Sequence, residues 1–381
     1  MCFLIGEFYI KTLNLRRNRI TDECIVTTHK VPLETTALDL SHNELKATPF
    51  YLCNMPLLLL LNISHNKIQS FEDVFDHLNR LIFLDVSHNR IECISLDNCK
   101  YLQNLNLSFN PLNHSVFSYV QKLTKLRCLN IAGLKVSTDC LSSLDRLSCL
   151  VELDVSYNCL VFIPASILKL KGLVRLNLSN NKIIDIPNEI DELENLTFLN
   201  ISFNNIQFLP PSIGNLKQLQ RLFANGNCIS ASGLPDSMRE LINLEILMLA
   251  FNNLDTIPPS LCRCPILKRL ILRNNCLLTL PDSIHNMKEL KILDTKGNKD
   301  LIMPKKSNII VDPYSIMDFS YDNVRNMVFA LVKQRLPTQE VAKENLTKLK
   351  MIVHKNTHIH KLNDIKNAEA KKIKKRTSVS F

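Results

Sequence analysis

Apolar residues return along this chain at a fixed interval. The string L-x-x-L-x-L-x-x-N-x-L recurs with its asparagine at 18, 43, 66, 89, 110, 158, 181, 204, 227, 252, 275 and 298. The step is mostly 23 residues, with 21 and 25 also occurring and one gap of 48. That gap is two units long. The missing copy stands as Leu126, Leu129, Ile131 and Val136, with Leu134 where the asparagine belongs. Thirteen copies therefore cover residues 1 to about 305, and a period of this size marks a stacked repeat architecture.

Within each copy the L-x-L alternation predicts a short strand whose leucines point to one side and whose flanking residues point to the other. From Asn158 onward a proline and an apolar ladder follow, as in IPASILKLKGL, IPNEIDELENL, LPPSIGNLKQL, IPPSLCRCPIL and LPDSIHNMKEL. Pro164, Pro187, Pro210, Pro258, Pro281 and Pro304 are expected to start a helical or 3₁₀ turn on the opposite wall with their preset φ. One unit cannot bury its leucines alone, whereas stacked units form a continuous core and a parallel sheet. The asparagine sits where the strand turns, and its amide both donates and accepts, so it satisfies turn groups that would otherwise be buried unpaired. Leu134 cannot do this, which predicts a weak stretch at residues 130–140.

These motifs resemble leucine-rich repeats over about four-fifths of the chain. The proline-bearing units of the second half resemble intracellular leucine-rich-repeat proteins of the Ras-group, Ras-suppressor and Scribble type. Repeats three to six lack the proline, and the first two are the most divergent. The resemblance implies an α/β leucine-rich-repeat solenoid with a concave parallel sheet. It also implies a binding scaffold whose partner is a small GTPase, a phosphatase subunit or a polarity protein. The solenoid is expected over 1–304. Beyond it, Val324, Met327, Val328, Leu331 and Val332 would share one helical face in a C-terminal cap at 305–336. Residues 337–381 read as a basic tail, partly helical or disordered.

Composition narrows the function classes. The 381 residues carry a net charge of +10 and are 46% hydrophobic, which suits a globular protein with ample core. Eleven Lys/Arg and four Asp/Glu fall in 337–381, so the tail holds +7 and the rest only +3. No nucleic acid is therefore expected on the solenoid. With 7 glycines there is no Gly-rich phosphate loop, and no apolar run reaches the ~18 residues of a membrane span. The 13 cysteines are scattered, as free thiols are in a reducing compartment. The start, MCFLIGEFYIK, lacks a basic region, so no signal peptide is expected. The N-x-[ST] strings at Asn62, Asn177 and Asn200 follow from the repeat itself. A cytoplasmic monomer is the expectation, with nuclear entry through the basic run Lys371–Arg376. A secreted receptor ectodomain is disfavoured.

Candidate chemistry is sparse. No nucleophile has a base and an orienting group in a recognisable pattern, so neither an enzyme nor a cofactor is expected. His42, His65 and His88 precede the asparagine in three successive units. Strands ~4.8 Å apart would set them in a ladder whose outer rings are too far apart for one ion, so no metal is expected. The informative positions lie two and four residues after the first leucine of each unit. The second of these rows is Asp or Asn from Asn14 to Asn200, then becomes Phe223, Met248 and Ile271. The first row reads Arg175, Phe198, Arg221, Ile246, Arg269 and Ile292. Together with Arg273 they form the expected partner-binding patch, an exposed apolar cluster with an arginine fringe on the concave face of repeats 8–13. In the tail, Val379 and Phe381 suit a docking pocket, and Ser378 follows basic residues as a phosphorylation site does. The alternative function is therefore a regulatory subunit of a type-1 protein phosphatase docked through that tail.

Overall fold

A computed structural model of the protein describes residues 10–23, 34–71 and 74–302. Each of the thirteen repeats contributes one three-residue strand, from β1 (Thr12–Asn14) to β13 (Ile292–Asp294). All thirteen join in one parallel sheet in chain order. The central leucine of each strand, from Leu13 and Leu38 to Leu270 and Leu293, is buried in a single apolar core. Apolar residues of the return segments, such as Ile167, Ile190, Ile213 and Ile284, close that core from the other wall. Burying one such side chain is worth ~1.5–3 kcal/mol, and the stack repeats the gain at every step.

The return segments are short. Among the described residues they include short α-helices (Val74–His77, Val116–Val120 and Ala165–Leu168) and 3₁₀ turns such as Asn188–Glu192, Pro211–Asn215 and Asp282–Asn286, while the return between β4 (Phe83–Asp85) and β5 (Asn104–Asn106) has no helical turn. Pro164, Pro187, Pro210 and Pro281 do not occupy the first helical position that the sequence suggests. They cap the turn from one residue earlier, with φ between −64° and −69° but an extended ψ. Their carbonyls accept the first turn bonds, from the amides of Ile167, Ile190, Ile213 and Ile284. Pro258 sits two residues ahead of its capping Ser260 and likewise accepts from Leu261. The fixed φ is used, but to aim a carbonyl.

The recurring asparagine bonds backwards. Asn66 Oδ1 accepts from the Leu45 amide at 3.0 Å, and its Nδ2 donates to the Leu40 carbonyl of the preceding repeat and to its own Ile63 carbonyl. Asn89, Asn181, Asn204, Asn252 and Asn275 repeat the arrangement. Each asparagine therefore completes the turn of the unit before it. This moves the expected weak stretch. The amides of Leu134 and Val136 both donate to Asn158 Oδ1, at 3.1 and 2.9 Å, so residues 130–140 are held. The rung that Leu134 removes is one repeat earlier, because its side chain has no acceptor for the Leu112 amide. The expected cap at 305–336, the tail at 337–381 and Pro304 lie outside the described residues.

Candidate protein-binding face

The residues that flank each central leucine line the outer face of the sheet. From β8 (Arg175–Asn177) to β13 the first row runs Arg175, Phe198, Arg221, Ile246, Arg269 and Ile292, each in direct register with the next. The second row runs Asn177, Asn200, Phe223, Met248, Ile271 and Asp294. Arg273 joins them through its Nε, 3.4 Å from Asp294 Oδ2. The expected residues thus come together on one face. None of them is as fully exposed as the sequence suggests, and the largest departure is Phe223, which is buried, at 6%. Strand alternation alone points it outward. On the sheet, the Phe198 ring of the adjacent strand meets it edge-on at 5.2 Å. The other nine are half-buried.

Two acids complete the patch and were not singled out from the sequence. Glu152 Oε1 lies 3.8 Å from Arg175 Nε, and the Arg175 guanidinium lies 4.7 Å over the Phe198 ring. Glu152, Arg175, Phe198 and Phe223 therefore form one chain of contacts across four consecutive strands, with a cation–π step worth ~0.5–2 kcal/mol in its middle. Burial pushes the Glu152 carboxyl up, and Arg175 opposes that shift. Asp294 plays the matching role at the other end. The available signal was an acid one repeat away from an arginine in an outward row.

The first eight repeats use the same positions differently. Each Asx of the second row accepts from the residue two on, the amides of Arg16 and Ala132 at Asn14 and Asn130 and a serine in the other repeats: Ser87 to Asp85 at 3.0 Å (amide) and 2.7 Å (hydroxyl), Ser156 to Asp154 at 2.9 and 2.6 Å, Ser179 to Asn177 at 3.2 and 2.9 Å. Asn177 Nδ2 also reaches Asp154 Oδ2 at 3.0 Å. Burial pushes the Asp85 and Asp154 carboxyls up, against these bonds.

The position before each asparagine holds a left-handed residue. His42, His65 and His88 have φ of 53° to 56°, and their rings stack at 4.1 and 4.2 Å, continuing onto Phe109 at 4.5 Å. In parallel stacked rings the in-plane nitrogen lone pairs run side by side and do not converge on one ion. Among the described residues no group of three or more His, Cys, Asp or Glu could hold a metal. The ring in this column leans over the next repeat: a Cβ on Gly133 (φ +69°) would come within 2.6 Å of the Phe109 ring.

Models of the leucine-rich repeat match residues 34–91 and 242–299, and a leucine-rich repeat region matches 165–250, together just over half of the chain. The chain is a leucine-rich-repeat protein. It is 50% identical over 224 residues, 58% of its length, to the human protein flightless-1 homolog, and it spans 18% of that relative. A solved leucine-rich-repeat protein of Leptospira interrogans is 29% identical, with a TM-score of 0.65 over 72% of this chain and 69% of its own. The Arabidopsis receptor kinase HAESA, solved with the peptide hormone IDA and the co-receptor SERK1, shares the fold. It is 24% identical with a TM-score of 0.58, covering 79% of this chain and 53% of its own.

Leucine-rich-repeat proteins generally bind other proteins, and most are not enzymes. No helix among the described residues is long and apolar enough to cross a membrane. The eleven described cysteines are free, and burial pushes the thiols of Cys99, Cys128 and Cys264 up to about 12, which makes them inert packing groups. Val379, Phe381, Ser378 and the run Lys371–Arg376 lie outside the described residues.

Proposed function

We propose that this leucine-rich-repeat protein is a non-enzymatic scaffold that holds a protein partner against the sheet face of repeats 8–13. The observation that carries the reading is the change in the second outward row. Through repeat 9 it is Asp or Asn, largely bonded to its own serines, and from repeat 10 it becomes Phe223, Met248 and Ile271 beside a row of alternating arginines and apolar residues. Half-buried aliphatic, Met and Arg side chains in one patch are the composition of an interface centre. The fold is one that seats a peptide ligand in HAESA. Free cysteines support a reducing, cytosolic setting. Small GTPases, phosphatase subunits and polarity proteins are the partner classes to try.

The test places a photo-crosslinking residue at Met248, or at exposed Lys288 on the return side, in the full chain. We expect partner capture at 248 and not at 288, and loss of capture when Met248→Asp and Ile271→Asp are combined with the melting temperature retained. Equal capture at both positions, or capture that survives the double substitution, overturns the reading.

A further inference from the structure

We infer that the segment seated on repeats 8–13 is acidic and amphipathic: an α-helix carrying carboxylates every seventh residue along one edge of an apolar stripe. This proposal rests on the binding reading above and adds the chemistry of the partner. The first outward row places arginine on alternate strands, Arg175, Arg221 and Arg269, with Phe198 and Ile246 between them in direct register. Adjacent strands lie ~4.8 Å apart, so the guanidinium positions recur every ~9.6 Å. A helix lying across the strands returns the same edge every seven residues, ~10.5 Å. A β-strand repeats its face at ~7 Å and falls out of step. A polyproline segment repeats at ~9.3 Å but places only three side chains over that length, where an α-helix places about six and so covers Met248 and Ile271 more densely. The six strands span ~24 Å, which is ~16 helical residues.

Charge points the same way. In the two outward rows and the position two residues beyond them, repeats 8–13 hold Arg175, Arg221, Arg269, Arg273 and Lys296 against Asp294 alone. The acids within reach of this face are already engaged. Glu152 is 3.8 Å from Arg175, Asp294 is 3.4 Å from Arg273, and Glu245 is 2.8 Å from Lys268. The surplus is positive, and a guanidinium with five donors can take a second carboxylate while keeping its first. A basic segment laid here would meet like charge in a half-desolvated site, where repulsion costs most.

The N-terminal repeats present the opposite charge. Over repeats 2–7 the same three positions hold Asp39, Asp85, Glu152 and Asp154 and no Lys or Arg. The sheet face therefore changes sign along its length. An acidic helix is attracted to one half and repelled from the other, which confines it to the C-terminal repeats.

The experiment selects from a library of 18-residue helical peptides, displayed on phage and randomised over one face, against the full chain. We expect acids at heptad spacing beside aliphatic residues, affinity that falls as salt rises, and a loss of ~10-fold or more on Arg221→Glu or Arg269→Glu. Repeating the selection on R269E should replace one of those acids with lysine. Peptides that are neutral or basic, or whose acids follow no fixed spacing, yet are lost on Met248→Asp, overturn this inference and leave the binding face standing. Peptides indifferent to Met248→Asp, or no enrichment, overturn both. Circular dichroism and melting of each variant separate lost contacts from lost fold.

Discussion

Repeats 2–8 and repeats 10–12 share one backbone, one leucine core and, apart from Leu134, one asparagine ladder, yet their outer faces behave oppositely. In the first region the row after the central leucine is consumed internally. Asp85, Asp154 and Asn177 spend their acceptors on Ser87, Ser156 and Ser179. In the second region the same row is Phe223, Met248 and Ile271, and the arginines beside it are set against apolar neighbours. A solenoid separates support from recognition: the inward leucines hold any outward residue, so the outer rows can change chemistry within one repeat without a change in fold.

The largest expected effect breaks the simple version of that separation. Leu222→Ala and Phe223→Ala should both destabilise by ~3–5 kcal/mol, since both side chains are buried although they point to opposite faces. Met248→Ala, half-buried in the same row, should cost ~1 kcal/mol or less. Urea unfolding of the full chain checks this. A Phe223→Ala variant as stable as wild type would show that the ring is held by no neighbour and return it to the exposed patch.

A middle-sized effect concerns the ladder that both regions share. Asn181→Ala removes the acceptor of the Leu160 amide and the donor to Val155 and Leu178, and should cost ~1–3 kcal/mol. The natural counterpart is Leu134. Amide exchange should be faster at Leu112 than at Leu160, while the Leu134 and Val136 amides stay protected. Leu112 and Leu160 exchanging at the same rate would refute the missing rung.

The smallest effect sharpens the contrast by pH. Burial, then neighbouring positive charge from Arg16, Arg17 and the other rings, holds His42 and His65 below 6.5, with Asp39 opposing at His42; burial and His65 do the same to His88. A folded-state value below the unfolded one means that the folded chain binds fewer protons. The stack's contribution is therefore full above pH 6.5 and is lost as pH falls from there through the depressed values. The carboxyls of Asp85, Glu152 and Asp154 are shifted up by burial and act in the opposite sense. Melting temperature should decline from pH 7.5 to 5.5, and His65→Phe, which keeps a ring in the stack, should flatten that decline. An unchanged slope in the variant would exclude the histidines as its source.

Much of this was legible beforehand, for physical reasons. Leucine spacing determines which residues face the core, and a parallel register set by a 23-residue repeat determines which outward residues become neighbours. Arg175, Phe198, Arg221, Ile246, Arg269 and Ile292 could be read as one row from spacing alone. What spacing does not carry is lateral packing. Phe223 follows the outward alternation and is still buried, with the Phe198 ring of the adjacent strand packed edge-on against it. The histidines were visible as a ladder, but their face-to-face stacking follows from the left-handed backbone at each ring. The ion partners Glu152 and Asp294 belong to repeats at the margins of the apolar patch, and only the register brings them beside Arg175 and Arg273.

The asparagine ladder has a direction, and the direction matters to a growing chain. Asn66 serves the turn of the second repeat, Asn204 that of the eighth, and Asn275 that of the eleventh. As residues leave the ribosome, the newest turn always waits for an amide not yet made, and each unit is finished by its successor. A nascent solenoid thus carries one incomplete joint at its advancing end. The same polarity makes shortening unequal: removing repeats from the front leaves every remaining turn served, whereas removing them from the back strips the acceptor from the last turn that stays.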